Sequence, residues 1–219
     1  MANYRCLVLD HDDTVVQSAR TVNYPAMVEA LRIERPGRQM SYEEFSLGCF
    51  RKTFDGMCRE DLQYTDEELQ RHYLYWKSYV RTHIPPAYDG LNELLTRFRA
   101  ESGLICVSSH SSNENITRDY LQHFGFAPDQ IYSYDLPKHL CKPHPYALQE
   151  IMRIYSLQPG DLLMVDDMKA GCDMARSCGV PFACAGWSHD VAEIADFMRN
   201  HSPYYLNSVK ELEILLFGP

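Results

Sequence analysis

The sequence predicts an α/β fold with a doubly wound parallel sheet that is interrupted by a helical insertion. Two observations predict the sheet: short runs of residues that are apolar on both faces, and helical patterns that alternate with them. A parallel strand covered by helices on both sides lacks the polar face of a half-exposed strand. A third observation, a long segment near the N-terminus without a strand pattern, predicts the insertion.

Four apolar runs supply the predicted strands. They are Cys6–Leu9, Leu104–Val107, Leu162–Val165 and Val180–Cys184. Apolar residues recur at helical spacing in residues 91–98 and 148–155. A helix over Ala170–Cys178 is expected to end at Gly179, because glycine favours the left-handed conformation that closes many helices. Ser208 and Glu211 have the spacing of a capping box that opens the last helix.

Residues 18–85 form the predicted insertion, and residues 1–17 and 86–219 form the predicted α/β core. Two capping boxes, Ser41 with Glu44 and Thr65 with Glu68, each predict the start of a helix in the insertion. Leu69, Tyr73, Trp76 and Val80 follow the second box at helical spacing. We interpret this apolar and aromatic stripe as core packing, so the insertion is expected to be all-helical.

Size, charge and cysteine content exclude several classes of protein. The chain has 219 residues, a formal net charge of −9 and a hydrophobic content of 45%, which is ordinary for a globular protein. The negative charge argues against a nucleic-acid partner, since phosphate backbones require clustered Lys and Arg. No apolar stretch is long enough to span a membrane, and no N-terminal leader is visible. The chain has eight cysteines without a CxxC pair, and we expect reduced thiols and a cytoplasmic location.

Polar side chains follow the predicted strands, where ligands bind in an open α/β sheet. Asp10, Asp12 and Asp13 follow the first strand, Ser108 and Ser109 the second, and Asp166 and Asp167 the third. Lys142 lies in a loop before a helix. Carboxylates at this density are tolerated beside a divalent cation, and ligands that are all oxygen suit Mg²⁺. The sequence therefore predicts that magnesium and phosphate bind at this edge of the sheet.

The same residues, in this order, resemble the motifs of the haloacid dehalogenase (HAD) superfamily. Asp10-x-Asp12-x-Thr14 is similar to the first motif, Ser108 to the second, Lys142 to the third and Asp166-Asp167 to the fourth. The first pattern alone is weak, whereas four motifs in order over nearly the whole chain are specific. The resemblance implies a Rossmann-like HAD core. The helical insertion resembles the C1 cap of the subgroup that contains phosphoglycolate phosphatases and β-phosphoglucomutases.

The resemblance also implies a catalytic role for each motif residue. Asp10 would be the nucleophile that becomes aspartyl-phosphate, and Asp12 would be the general acid and then the general base. Ser108 would bind the transferring phosphoryl group, with the backbone N–H of Ser109 nearby. Lys142 would neutralise charge on the nucleophile and on the phosphate.

The Mg²⁺ ligands that the resemblance implies are all aspartates. Asp10 and Asp167 would bind the ion through their carboxylates, Asp12 through its backbone carbonyl, and Asp166 directly or through water. Asp13 occupies a position where the family often has glycine, and we expect it to be structural.

Charged and polar side chains outside the motifs are further candidates for substrate contact. Arg51 and Lys52 lie in the insertion, where they would contact the far end of a substrate; a solvated charge is the alternative for both. His11, His110 and His144 flank the motifs. We interpret these histidines as neighbours of the site rather than as participants.

Asp12 favours phosphate-ester hydrolysis among the reactions of this family, because dehalogenases and phosphonatases lack that acid. The expected substrate is a small phosphorylated metabolite, since a cap would close most of the site. A mutase of the β-phosphoglucomutase type is one alternative, although Val22 stands where those enzymes tend to carry a histidine. A non-catalytic binding protein on the HAD fold is another. The sequence carries no signal for the oligomeric state.

Overall fold

The structure, a computed structural model, describes residues 2–218. They divide into two compact units. The core unit runs up to Gln17 and resumes at Pro86, and the helical unit is Ser18–Pro85. No helix among residues 2–218 combines the length and apolarity needed to cross a membrane.

The core unit is built on a six-stranded sheet in which neighbouring strands are parallel. The strands are β1 Cys6–Leu9, β2 Leu104–Ser108, β3 Gln130–Tyr132, β4 Leu162–Asp166, β5 Phe182–Ala185 and β6 Tyr204–Leu206. Their order in the sheet is β3-β2-β1-β4-β5-β6. The chain therefore winds outward from β1 in both directions, which confirms the predicted doubly wound α/β fold.

The helices alternate with these strands in the core unit and make up the helical unit. The helices are α1 Tyr24–Glu34, α2 Tyr42–Glu60, α3 Asp66–Thr82, α4 Leu91–Ala100, α5 Asn113–Phe124, α6 Tyr146–Tyr155, α7 Lys169–Cys178, α8 Ala192–His201 and α9 Val209–Phe217. A π-helical turn, Ala19–Asn23, precedes α1, and short 3₁₀ turns occupy Lys138–Leu140, Pro159–Asp161 and Gly186–Ser188.

Strand β1 lies at the centre of the sheet. Val8 pairs with Cys106 on β2 and with Met164 on β4, and all three residues are fully buried. Burial on both faces explains why this strand shows no alternation of polar and apolar residues. Because the direction of winding reverses at β1, a crevice opens beyond its carboxyl end, where the loop that begins at Asp10 lies.

Helices α4, α5 and α9 pack on one face of the sheet. Their buried residues include Leu95, Phe98, Ile116, Tyr120, Leu212 and Leu216, and the strand residues in the same cluster include Leu7, Leu9, Ile105, Val107, Leu163 and Val165. Removing such apolar surface from water contributes about 25 cal/mol per Å². The strands that carry the candidate site residues are therefore anchored in a packed core.

Some elements differ from the sequence prediction for identifiable reasons. The strand predicted from Val180 begins at Phe182, because the Val180 N–H still bonds to the Ala175 carbonyl of α7 and proline has no N–H. The predicted capping box of α9 is only half present. The Ser208 side chain accepts from the Glu211 N–H, but the Glu211 carboxylate accepts from the Asn207 N–H instead of returning to Ser208.

The helical unit has its own core and the predicted helix starts. The capping boxes Ser41 with Glu44 and Thr65 with Glu68 are both confirmed, at the starts of α2 and α3. The buried cluster comprises Met27, Leu31, Phe45, Met57, Cys58, Leu62, Tyr64 and Leu69. Of the predicted stripe, Leu69 and Val80 are buried, whereas Tyr73 and Trp76 are half-buried. Trp76 directs its indole N–H to the Asn23 side chain at 2.9 Å.

Candidate active site

Asp10 stands at the carboxyl end of β1 and carries the central contact of the site. Its backbone N–H donates to the Val165 carbonyl at 2.8 Å, which extends the pairing of β1 with β4 by one residue. Its side chain is buried, and Oδ1 lies 2.9 Å from Lys142 Nζ. That oxygen receives no well-aligned hydrogen bond from the described residues. The Oδ1 atom of Asp10 is therefore attracted by the charge of Lys142 and remains available to act as a nucleophile.

Lys142 joins this carboxylate to the end of β4. Its Nζ donates to Asp166 Oδ2 at 2.5 Å, and its side chain is 3% exposed. The other oxygen of Asp166 accepts from the Met168 N–H at 2.8 Å. Gly171 on α7 makes this arrangement possible, because a Cβ there would lie 2.3 Å from Asp166 Oδ2. Asp166 is thus held at both oxygens before any ligand binds.

Several carboxylates lie close together in a buried part of the protein, and this crowding determines the electrostatics of the site. Burial opposes the charge of Lys142, but Asp10 and Asp166 outweigh it and raise the pKa of the ammonium group, which stays charged. Burial is also the largest cause that raises the pKa of Asp166, with Lys142 acting against it. Burial raises the pKa of Asp167 well above its ordinary value, and neighbouring aspartates add to the rise. One ammonium does not neutralise these carboxylates.

The donor set fits a hard divalent cation. One oxygen each from Asp10, Asp166 and Asp167 lies within 4.8 Å of the others, and all three residues are buried. Ligands that are all carboxylate oxygen favour Mg²⁺ over zinc or softer metals. The Asp10 oxygen without a hydrogen bond among the described residues and the closeness of three buried carboxylates fit a site that would hold a divalent cation.

The remaining residues of the first motif shape the loop after β1. Asp13 has φ 55, in the left-handed region where glycine is favoured and aspartate is tolerated, in agreement with its expected structural role. Thr14 is fully buried, and its hydroxyl donates to Asp167 Oδ1 at 3.5 Å. Asp12 is half-buried and forms a β-bridge with Val16. Its predicted metal contact through the backbone carbonyl stays a prediction.

Ser108 and Ser109 end β2 in different hydrogen-bonding situations. Ser108 is buried as the last residue of the strand. The backbone N–H of Ser109, expected to lie near a phosphate, donates to the Tyr132 carbonyl at 2.9 Å and so continues the pairing with β3. The expected contact of this N–H with phosphate stays a prediction. The Ser109 hydroxyl oxygen accepts from the Ser111 N–H at 3.1 Å.

Arg51 and Lys52 lie in α2, just before a break in the helix. Thr53 has φ 67 and ψ 164, a costly conformation for a β-branched residue, and its hydroxyl caps the Gly56 N–H. Lys52 Nζ lies 2.6 Å from Asp61 Oδ1 in an ion pair that raises the pKa of the lysine. Arg51 is exposed. The proposed substrate contact of these two residues stays a prediction.

Three histidines make contacts that the sequence did not predict. His11 Nε2 lies 3.0 Å from Asp119 Oδ2, and both side chains are buried. His110 Nε2 lies 3.1 Å from the Lys142 backbone oxygen. His189 Nε2 lies 2.8 Å from the Asp167 backbone oxygen. Because the partners are distant in sequence, no local pattern could have revealed these pairs.

Solved structures with the same fold include CbbY and two predicted phosphatases. CbbY from Rhodobacter sphaeroides, in complex with phosphate, superposes with a TM-score of 0.74 at 15% identity, covering 95% of this chain and 96% of that one. A predicted phosphoglycolate phosphatase from Haemophilus somnus gives a TM-score of 0.70 at 17% identity, covering 91% and 99%. A predicted phosphatase from Clostridium acetobutylicum gives 0.73 at 18%, covering 96% of both chains. These similarities establish the fold.

Sequence comparison establishes the family. Searching curated proteins yields no match. The family model of the haloacid dehalogenase-like hydrolases matches residues 4–179, which include all of the motif residues from Asp10 to Asp167. The chain therefore belongs to the haloacid dehalogenase-like hydrolase family.

Proposed function

We propose that this protein is a Mg²⁺-dependent phosphatase that hydrolyses a small phosphomonoester through an aspartyl-phosphate on Asp10. The observation that carries the proposal is the buried Asp10 carboxylate, which lies 2.9 Å from the Lys142 ammonium. A buried carboxylate beside a fixed cation, without a committed hydrogen bond at one oxygen, suits nucleophilic attack. The nearby Asp166 and Asp167 supply the remaining charge for a metal site.

In the first half-reaction, a carboxylate oxygen of Asp10 attacks the phosphorus of the substrate. A bond forms between that oxygen and phosphorus while the ester P–O bond breaks. Asp12 gives its proton to the departing alkoxide, which leaves as an alcohol. Lys142 offsets negative charge on Asp10 and on the phosphoryl oxygens, and Ser108 donates a hydrogen bond to one of them.

In the second half-reaction, Asp12 takes a proton from water, and the water oxygen attacks phosphorus. The bond between Asp10 and phosphorus breaks, inorganic phosphate leaves, and the carboxylate is restored. In the proposal Asp10, Asp166, Asp167 and the Asp12 carbonyl hold Mg²⁺. When bound, Mg²⁺ would supply positive charge that offsets the negative charge of the phosphoryl group.

Small phosphorylated metabolites are the proposed substrate class. CbbY, which shares the fold, has been solved with phosphate and with xylulose-(1,5)bisphosphate. Arg51 and Lys52 of the helical unit are the proposed contacts to the far end of the substrate. None of the eight cysteines, all of which lie within residues 2–218, forms a disulfide; this fits a reducing compartment, and we propose that the enzyme acts in the cytoplasm.

A phosphate-release screen tests the proposed reaction. The purified protein is incubated with p-nitrophenyl phosphate and with a panel of phosphorylated metabolites, in Mg²⁺ and in EDTA. We expect inorganic phosphate in Mg²⁺, loss of turnover in EDTA, and recovery when Mg²⁺ is restored. Turnover that persists in EDTA would contradict the proposed site.

Two variants separate catalysis from other functions of the fold. Asp10→Asn removes the nucleophile and should abolish turnover, whereas Asp173→Asn, an exposed acid on α7, should keep wild-type rates. Turnover that survives Asp10→Asn would overturn the aspartyl-phosphate mechanism. Conversion of β-glucose 1-phosphate to glucose 6-phosphate without phosphate release would identify a mutase instead. Absence of any turnover would favour a non-catalytic binding protein.

A further inference from the structure

His11 lies between Asp10 and Asp12 and is 1% exposed. Its Nε2 is 3.0 Å from Asp119 Oδ2, and the other oxygen of Asp119 accepts from Arg118 Nε at 2.7 Å. An ionised carboxylate can only accept hydrogen bonds. The Nε2 atom of His11 must therefore carry the proton of its contact with Asp119. The loop after β1 is therefore tied by a side chain to helix α5.

The Asp119 carboxylate is kept ionised although it is buried. Burial alone would raise its pKa, but the hydrogen bonds and charges of His11 and Arg118 together outweigh that effect, and the pKa is lowered. Hydrogen bonds to an ionised acceptor are roughly twice as strong as those between neutral groups. The link between His11 and Asp119 is therefore a strong, directional contact rather than a loose van der Waals neighbour.

His11 is also the point around which the loop folds. Its backbone carbonyl accepts from the N–H groups of both Val15 and Val16, at 3.0 and 3.1 Å. Its ring stacks on Tyr120 of α5, with 6.1 Å between the ring centroids. Helix α5 follows β2, the strand that ends in Ser108. The backbone carbonyl of His11 thus closes the loop of Asp10, and its side chain connects that loop to α5, the helix that follows Ser108 along the chain.

We propose that His11 and Asp119 are positioning residues that hold the Asp10 carboxylate in line with the substrate phosphorus. The inference rests on the proposed phosphatase function. Displacement of a reacting group by about 1 Å can lower a rate by about 10²-fold. A histidine that merely fills space in the core would allow an apolar side chain of similar size to replace it without loss of rate.

Steady-state kinetics with p-nitrophenyl phosphate test this role in the purified protein. We expect His11→Leu and Asp119→Asn each to lower kcat by about 10- to 100-fold and to leave KM within about twofold. His11→Gln keeps an N–H that can reach Asp119, and we expect it to recover most of the lost kcat. A packing role would not produce this recovery.

Two further variants keep the test decisive if a single substitution unfolds the protein. His11→Leu/Asp119→Leu replaces both partners, so neither is left as an unpaired buried polar group. We expect this variant to fold, as judged by its thermal melting, and to keep the low kcat. Tyr120→Phe removes a hydroxyl without a hydrogen-bond partner among the described residues, and should keep the wild-type kcat.

The outcomes separate this inference from the proposed function. An active wild type with an equally active His11→Leu or double-leucine variant overturns the positioning role and leaves the phosphatase intact. Failure of His11→Gln to exceed His11→Leu also overturns it, because the hydrogen bond would then not matter. A wild type that releases no phosphate from any ester overturns the proposed function and this inference together.

Discussion

Lys142 Nζ lies 2.9 Å from Asp10 Oδ1, and both side chains are buried. The same ammonium donates to Asp166 Oδ2 at 2.5 Å, so one cation connects the ends of β1 and β4. Removal of the buried cation would leave two buried carboxylates without a compensating charge. A substitution of Lys142 should therefore affect both stability and activity.

Replacing Lys142 by methionine removes the charge and keeps the length of the side chain. We expect kcat for phosphate release to fall by about 10²- to 10³-fold, because a fixed positive charge at the reacting oxygens is lost. The free energy of unfolding should fall by about 3–5 kcal/mol, and protonation of the buried carboxylates should offset part of this loss. Urea unfolding and steady-state kinetics measure the two effects. Lys210→Met, at an exposed ion pair with Glu213, is the matched control and should change neither.

Gly171 should be intolerant of a single methyl group. An alanine Cβ there would lie 2.3 Å from Asp166 Oδ2, the oxygen that accepts from Lys142. We expect Gly171→Ala to displace the Asp166 carboxylate and to lower kcat by about 10²-fold or more. Gly160→Ala is the control, since a Cβ at that position meets nothing within 4 Å. Equal kcat values for the two variants would show that the position of Asp166 does not matter.

The motif residues could be predicted because local patterns mark them. Asp10 and Asp166 each come next to an apolar run that can only be a buried strand, and parallel strands bring their carboxyl ends to one edge. Lys142 stands before a proline, ahead of a helix. Neighbouring residues in the sequence and the geometry of a sheet were sufficient to bring these three side chains together.

The contacts that hold the motif residues in place could not be predicted, because they join residues that are far apart in the sequence. Asp119 is 108 positions away from His11 in the sequence and lies in the middle of α5. Strands β3 and β6 have only three residues each, too few for a recognisable pattern. The hydrogen bond from the Ser109 N–H to the Tyr132 carbonyl could not be predicted either, because it depends on the unrecognised strand β3.

Mg²⁺ should stabilise the protein measurably in the absence of substrate. A ligand that binds only the folded state raises stability by RT ln(1 + [L]/Kd), so millimolar Mg²⁺ should raise the melting temperature relative to EDTA. Asp167→Asn removes one of the three clustered carboxylates and should reduce the shift. Asp173→Asn is exposed and should keep the wild-type shift. Differential scanning calorimetry measures this effect without an assay of turnover, and equal shifts for both variants would remove Asp167 from the metal site.

The helical unit should lose stability in mild acid because of His72. This side chain is 2% exposed and packs against the rings of Phe54 and Tyr64. Burial lowers its pKa to about 4, with a small opposing effect from Glu34. The unfolded chain therefore binds a proton near pH 6.5 that the folded protein takes up only near pH 4. The stability that the neutral His72 side chain contributes is fully present above pH 6.5. About 2–3 kcal/mol of it is lost as the pH falls toward 4.

Trp76 fluorescence provides the measurement, since Trp187, the second of the two tryptophans, can be removed by Trp187→Phe. In that background, urea unfolding at pH 7.5 and 4.5 should show a loss that is about 2 kcal/mol larger with His72 than with His72→Phe. Replacing the exposed His201 by glutamine is the control and should leave the pH dependence unchanged. Glu68 contributes little to this loss, because its pKa is lowered from 4.5 to about 2 on folding and the stability it provides is lost mainly below pH 4.5. Equal losses with and without His72 would assign the acid sensitivity to other groups.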